Sequence, residues 1–308
     1  MVNFFSAYYK KIVYKLIFII CRSSPEFFSK NFKVLFSKYI YHVFTGKYLN
    51  LRVPKSINEK LMWLKLYYEN ELTVKCTDKF LVREYLGSKR LSNILNELYG
   101  VYDTVDEIDF DNLPQKFALK ATHGCGYNII CSDKSTLKIA DVKTKLNFWL
   151  NSIYGLRTGE WQYARIKPRI ICEKYLEHPV NSTSVADFKI HCLNGQPFCI
   201  LVYYNRSENS KMRTAYNLNW ERINVLKNEG GDFEKPQNLD AMLQIAVSLS
   251  EPFPYVRVDL YEVEGRLYFG ELTFTPHGGM MINFTDETLD LMGKQLILPK
   301  RNRKRIPI

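Results

Sequence analysis

The chain of 308 residues has no C-x-x-C pair, no Gly-x-Gly-x-x-Gly fingerprint, no P-loop, no internal repeat and no low-complexity tract. Each absence removes a class. The cysteines, Cys21, Cys76, Cys125, Cys131, Cys172, Cys192 and Cys199, are odd in number and show no disulfide spacing. With no cleavable signal peptide evident, they point to a reducing, cytoplasmic compartment. The missing glycine fingerprints argue against dinucleotide and P-loop binding. No membrane span is expected, because the apolar run after Lys15 falls far short of the ~20 residues a span needs.

What the chain does have is a 46% hydrophobic composition, enough for a sizeable core, and a length suited to roughly two domains. The formal charge of +11 asks for an anionic partner: nucleotide, nucleic acid, acidic glycan or anionic lipid. Much of the excess sits at the ends, in Lys10, Lys11, Lys15, Arg22, Lys30, Lys33 and Lys38 and in Lys300, Arg301, Arg303, Lys304 and Arg305. A nucleic-acid partner is therefore not expected. Residues 1–50 form a basic, aromatic extension with two readings, a segment lying on anionic lipid at the inner face of the plasma membrane or a helix packed on the protein's own core. The same periodicity serves both.

Residues 51–115 read as mostly helical. Ser56 is placed to cap a helix whose apolar face is Leu61, Met62, Leu64 and Leu66, and Asp78-Lys79 to open another through Arg83 and Leu86. Strand signals dominate from 116 onward, at 117–121, 127–131, 169–176, 185–193, 197–204, 255–263 and 267–275, with helices expected at 142–154 and 239–250. Asn194-Gly195 is a strong hairpin signal and Glu264-Gly265 a weaker one. The expectation is an α+β fold dominated by antiparallel sheet.

Four stretches carry chemistry. In the first, Lys120 ends a strand at a loop holding His123, Gly124 and Gly126. Glycines admit backbone N–H groups to phosphate oxygens and a strand-borne lysine adds a fixed charge, although the same residues also make an ordinary hairpin. In the second, the strand 170–176 breaks into Glu173, Lys174, Tyr175 and Leu176, either a backbone edge for adenine or a solvated ion pair. In the third, alternation puts Asp187 and Lys189 on one face, to meet ribose and phosphate or simply to form a cross-strand pair. The fourth is Arg257-x-Asp259 followed by Glu271-x-Thr273. Asp259 and Glu271 are hard oxygen ligands of the kind Mg²⁺ takes, and Arg257 would face the same site; a sheet with one wet face is the alternative. A two-residue turn at Glu264-Gly265 would set Asp259 opposite Gly270 and turn Glu271 away, so a shared metal requires a longer loop or a bulge.

This order of residues resembles the ATP-grasp superfamily. More narrowly, it is similar to the TupA-like ATP-grasp family of bacterial surface-polysaccharide gene clusters, through residues 78–83, Lys120 to Gly126, Cys172 to Leu176, Asp187 to Lys189, 216–220, 235–239 and 256–279. The resemblance implies two lobes of largely antiparallel sheet with helices: a nucleotide-binding lobe at 116–172 and a metal and substrate lobe at 173–308. ATP would lie between them, with Lys79 and Lys120 toward phosphates, the backbone of Glu173 to Leu176 toward adenine, and Asp259, Glu271 and Thr273 at Mg²⁺. Ligases of the D-Ala–D-Ala type usually carry Asn where Thr273 stands, and a hydroxyl is a poorer ligand than an amide carbonyl. The implied reaction joins a carboxylate to an amine through an acyl phosphate, with Arg257, Lys189 and Lys120 stabilising charge. Family setting implies a uronic-acid-containing capsule or O-antigen glycan, or its precursor, and an amino acid or amino sugar. Two other readings compete, a glycosyltransferase or kinase-like enzyme of capsule assembly and a non-catalytic polyanion-binding protein.

Overall fold

The computed structural model describes residues 33–177, 184–204 and 212–300. The elements in chain order are α1 (Lys33–Thr45), α2 (Ile57–Tyr67), α3 (Glu71–Thr77), α4 (Val82–Ser88), β1 (Leu98–Tyr102), β2 (Phe117–Ala121), β3 (Asn128–Cys131), α5 (Ile139–Leu150), β4 (Ile170–Lys174), β5 (Asp187–Leu193), β6 (Gln196–Tyr204), β7 (Met212–Tyr216), α6 (Leu239–Ser250), β8 (Tyr255–Val263), β9 (Arg266–Thr273) and α7 (Asp286–Gln295). They build two antiparallel sheets, ordered β1-β4-β2-β3 and β7-β6-β5-β8-β9. This is the expected α+β arrangement of two sheets with helices.

In the four-stranded sheet one face is core: Phe117, Leu119, Ile170 and Cys172 pack with Val142, Leu146 and Trp149 of α5. Period-two alternation then turns Ala118, Lys120, Ile171 and Glu173 to the opposite face, where Lys120 pairs with Ile171 and Ala118 with Glu173. The sheet exceeds the expected 116–172 lobe at both ends. β1 lies inside the stretch read as mostly helical, and β4 runs on to Lys174.

The five-stranded sheet buries Phe188, Ile190, Cys192, Val258, Leu260 and Leu272 against α4 and α6 on one face. Its other face is divided. Leu193, Cys199, Leu201 and Tyr255 join a second core under α2 and α7, while Asp187, Lys189, Arg257, Asp259, Glu271 and Thr273 are left for chemistry. Both expected hairpin turns are two residues long, with Leu193 paired to Gln196 and Val263 to Arg266. All four turn residues have positive φ, which matches the right-handed twist of the flanking strands.

Helix α2 starts where Ser56 and Glu59 form a capping box, and it buries Ile57, Leu61, Met62 and Leu66. Helix α1 buries Phe36, Ile40 and Tyr41 against Leu49, Met62 and Met280. Residues 33–45 of the basic extension therefore pack on the core. Residues 1–32, the turn at His178-Pro179 and the tail from Arg301 lie outside the described residues. Among the described residues no helix is long and apolar enough to cross a membrane.

Candidate active site

The register of β8 and β9 decides whether the two carboxylates can act together. The tight turn at Glu264-Gly265 carries the pairing from Val263–Arg266 to Leu260–Phe269, a register that would put Gly270 opposite Asp259. The ladder shifts there instead, and Asp259 pairs with Glu271. Gly270 is the extra residue of a bulge. A Cβ at this position would lie 3.0 Å from the Asp259 carbonyl oxygen and 3.0 Å from Cε2 of Tyr261, so the bulge closes around a missing side chain. Beyond it Leu272 faces the core, and Glu271 and Thr273 face Arg257 and Asp259.

Arg257 holds this group together. Its Nε and Nη2 donate to the two oxygens of Asp259 at 2.6 Å each, and Nη2 also reaches Glu271 Oε1 at 3.1 Å and Thr273 Oγ1 at 2.9 Å. Thr273 in turn donates to Glu271 Oε1 at 2.7 Å. Across the sheet, Lys189 donates to Asp259 and forms an ion pair with Asp187 at 2.7 Å. Burial raises the Asp259 carboxyl, and the charges of Arg257 and Lys189 oppose it. Lys189 is pushed down by burial and by Arg257, yet Asp187, Asp259 and Glu271 hold its pKa above the ordinary lysine value. At Glu271 burial would raise the carboxyl, but Lys79, Arg257 and Lys189 bring it down to about 2.

The opposite wall comes from the four-stranded sheet. Lys120 donates to Glu173 Oε2 at 2.6 Å, and Arg83 approaches Glu173 Oε1 at 3.5 Å. The Asp78 carboxylate accepts from the backbone N–H groups of Phe80 and Leu81 at 2.7 and 3.1 Å. That local turn brings Lys79 under the glycine loop, where its Nζ donates to the Gly124 carbonyl. Gly124 has no room for a Cβ, which would sit 2.6 Å from Cδ2 of Tyr127. One cleft is lined by Lys79, Lys120, Gly126 and Glu173 from this side and by Tyr261, Phe269, Gly270 and Glu271 from the other. The glycine loop is thus a tight hairpin and a cleft wall at once.

A strand-borne lysine over a glycine hairpin thus faces an Arg-x-Asp and Glu-x-Thr strand pair across one cleft. The model of the TupA-like ATP-grasp proteins matches residues 59–297. The chain belongs to that family.

No curated protein matches the sequence. Similar solved structures include D-alanine–D-alanine ligase from Bacillus anthracis, 14% identical over 79% of this chain and 68% of that one with a TM-score of 0.44. They also include D-cycloserine synthetase DcsG, 14% identical over 89% of this chain and 82% of that one with a TM-score of 0.39.

Within this ATP-grasp protein the remaining expected site residues are placed unevenly. His123 is buried, its Nε2 on the carbonyl of Trp149 at 2.9 Å and its ring edge-on to Tyr127; burial lowers its pKa. In this structure it packs the loop onto α5. The Lys174 backbone is engaged on both sides, its N–H with the Glu97 carbonyl at 2.9 Å and its carbonyl with Asn96 Nδ2 at 2.8 Å. The Lys174 side chain pairs with Glu97 at 3.7 Å, and Tyr175 lies beneath Lys116, 5.9 Å from its ring centroid.

Sequence reasoning passed over a second polar group. Glu160 is buried and accepts from the hydroxyls of Thr158 and Thr275. Beside it Lys65 of α2 donates to the carbonyls of Thr158 and Gly278 at 2.8 Å each, and burial brings its pKa down to about 8. Lys65 thereby ties α2 to the loop after β9, where His277, Gly278 and Gly279 have φ of 51, 69 and 88°. His191 is also buried on the site face of β5, with Nδ1 2.9 Å from the Tyr255 hydroxyl, and is held neutral by burial and by Arg257. It stands four strand positions after Asp187, so the alternation that joins Asp187 and Lys189 also places it on their face.

Proposed function

We propose that this ligase joins a carboxylate to an amine in an ADP-forming, Mg²⁺-dependent reaction. The carboxylate is read as a uronic acid of a capsule or O-antigen glycan or its precursor, and the amine as an amino acid or amino sugar. One observation carries the reading: the bulge at Gly270 sets Asp259 and Glu271 opposite each other, with Arg257 between them.

The donor set fits magnesium. Asp259 and Glu271 are hard oxygen donors on facing strands, Glu271 keeps 29% of its side chain exposed toward the cleft, and Thr273 adds a hydroxyl. Mg²⁺ takes one or two carboxylates and completes its shell with water and phosphate oxygens. Among the described residues no group of three or more His, Cys, Asp and Glu side chains is gathered to hold a metal ion. When bound, the ion supplies charge neutralisation for phosphoryl transfer.

The chain's own residues position and neutralise. Lys79 and Lys120 face the phosphates, and backbone at Tyr175 and Leu176 offers the adenine edge, since that of Lys174 is engaged. An oxygen of the substrate carboxylate attacks the γ-phosphorus and ADP departs. The amine nitrogen then attacks the acyl carbon, phosphate departs, and the nitrogen loses a proton. Arg257 and Lys189 stabilise the charge that develops in both steps. No covalent enzyme nucleophile is needed, in keeping with Cys76, Cys131, Cys172, Cys192 and Cys199 being buried.

The surface-polysaccharide setting of the family supports the uronic acid, and work on a membrane-held precursor suits the basic N-terminal segment. Sedimentation with anionic liposomes tests that segment, and no binding by the full chain removes a membrane role. Glycosyl transfer would show as preference for a nucleotide sugar over ATP, and passive polyanion binding as an affinity that falls steeply with salt while no ADP forms. The decisive assay is ADP release from uronic acids crossed with amino acids. Turnover should need both substrates, or proceed slowly with the carboxylate alone, and AMP with pyrophosphate as products would overturn the mechanism.

A further inference from the structure

A second cavity, of about 1100 Å³, opens beside the nucleotide cleft. Tyr127 lines both spaces, so the two are neighbours. Cys125 of the glycine loop, Tyr154, Thr158 and His277 are part of its lining. This part lies next to the nucleotide cleft: Cys125 follows Gly124, whose carbonyl accepts from Lys79, and Tyr127 is shared by both linings. Small-molecule sites are usually about 300–1,000 Å³, so an amino acid alone would leave most of this one empty.

The lining has a specific chemistry. The nucleotide cleft presents Lys79, Lys120, Arg83, Glu173 and Glu271, whereas no described residue of the larger cavity is Asp, Glu, Lys or Arg. Among the described lining residues none carries a fixed positive charge to hold a second polyanion. Four rings, Phe44, Tyr127, Phe148 and Tyr154, supply flat apolar faces. Between them stand Asn147, Asn151, Ser152 and Thr158, whose amides and hydroxyls both donate and accept. Phe148, 63% exposed, and Asn147 both line the cavity from α5. A lipid tail has no use for the amides, and a charged peptide would meet no fixed counter-charge among the described lining residues.

We infer that this cavity binds the neutral sugar residues of an oligosaccharide substrate. The C–H faces of pyranose rings would lie on the aromatic side chains, their hydroxyls on the amides and hydroxyls, and the reacting carboxylate would point past Tyr127 and Cys125 toward Glu271 and Arg257. This rests on the ligase reading and extends it: the enzyme recognises the neutral neighbours of the acid, so a free uronic acid is a poor substrate.

Saturation-transfer NMR on the full chain with maltotriose, cellotriose and chitotriose tests the cavity without turnover. Transfer to ring C–H protons of at least one trisaccharide is expected, weakened at least 5-fold in Phe148→Ala and in Asn151→Ala. Both positions are exposed, and MgATP affinity read in parallel reports that the variants fold. No transfer from any of the three, or equal transfer in both variants, overturns the inference. Dodecyl maltoside saturated along its alkyl chain rather than its sugar would assign the cavity to lipid and overturn it as well. Trisaccharide binding that depends on Phe148, in a protein that never forms ADP, would leave the cavity standing and remove the ligase reading. ADP formation from a free uronic acid and an amine, unaffected by Phe148→Ala, would do the reverse.

Discussion

Replacing Glu271 with Gln separates the charge of the proposed metal site from its shape. In the metal-free protein this carboxyl is brought from an ordinary value of 4.5 to about 2. Its folded pKa is depressed, so the stabilisation it gives is present above about 4.5 and is lost as pH falls toward 2. At full strength a shift of that size is worth ~3 kcal/mol. The side chain keeps 29% exposure, and solvent screening reduces the expected contribution to about 1–2 kcal/mol. In EDTA at pH 7, Glu271→Gln should therefore unfold at lower urea concentration by that amount, or roughly 2–6 °C earlier on heating. The gap between wild type and variant should narrow below pH 4.5 and close near 2. Mg²⁺ supplies the second readout, because a neutral amide holds a hard cation less well than a carboxylate. MgATP should raise the midpoint of the wild type and leave that of the variant almost unmoved, while ATP in EDTA should treat the two alike. Equal MgATP stabilisation of both proteins, or a stability gap that is independent of pH, would refute the reasoning.

Three further outcomes are expected. Lys120→Ala should weaken nucleotide binding about 10–100-fold by calorimetry, the scale of one lost charge-assisted bond, and unchanged affinity would leave the glycine loop a plain hairpin. Gly270→Val should cost roughly 1–3 kcal/mol of stability because its Cβ meets the Asp259 carbonyl oxygen, and it should weaken MgATP more than ATP in EDTA; wild-type values for both would mean the bulge adapts freely. Lys65, with a folded pKa near 8 against 10.5, makes stability rise as pH climbs between those values, and partial exposure holds the gain to ~1 kcal/mol; Lys65→Met should flatten that rise, and an unchanged pH profile would refute the assignment.

The parts of the fold legible in the sequence are those where one period dominates. Strands β2 and β8, helix α6 and both two-residue turns stand where alternation, helical spacing and Asn-Gly or Glu-Gly place them. Strands β1 and β7 escaped because they are five-residue edge strands, and β1 is half-buried at every position, so no alternation marks it. The same contrast holds at the site. Asp187, Lys189, Arg257 and Asp259 share a face through strand alternation alone. Lys65 meets Thr158 across 93 positions and Arg83 meets Glu173 across 90, contacts that only tertiary packing creates. The facing of Asp259 and Glu271 lies between these cases. The turn at Glu264-Gly265 sets a register that denies it, and Gly270 is the one residue whose missing side chain lets the ladder recover.

The charges around Glu271 explain why a nucleotide would need a divalent cation here. Asp187, Asp259 and Glu271 interact with Lys189, Arg257 and Lys79, three carboxylates against three cations. The charges of the group cancel as it stands: Lys189 and Arg257 are paired with its carboxylates, and Lys79, whose Nζ donates to the Gly124 carbonyl, offsets Glu271 from the other wall. A triphosphate alone would find excess positive charge only on the other wall, where Lys120 and Arg83 share Glu173. Brought against Asp259 and Glu271 it would meet like charge in a partly dehydrated cleft, where such repulsion is least screened. Asp259 and Glu271 would hold a divalent cation whose charge would reverse that sign and lessen their hold on Arg257. The guanidinium, whose Nε and Nη2 now carry all four bonds to Asp259, Glu271 and Thr273, is then available to the charge that develops during transfer.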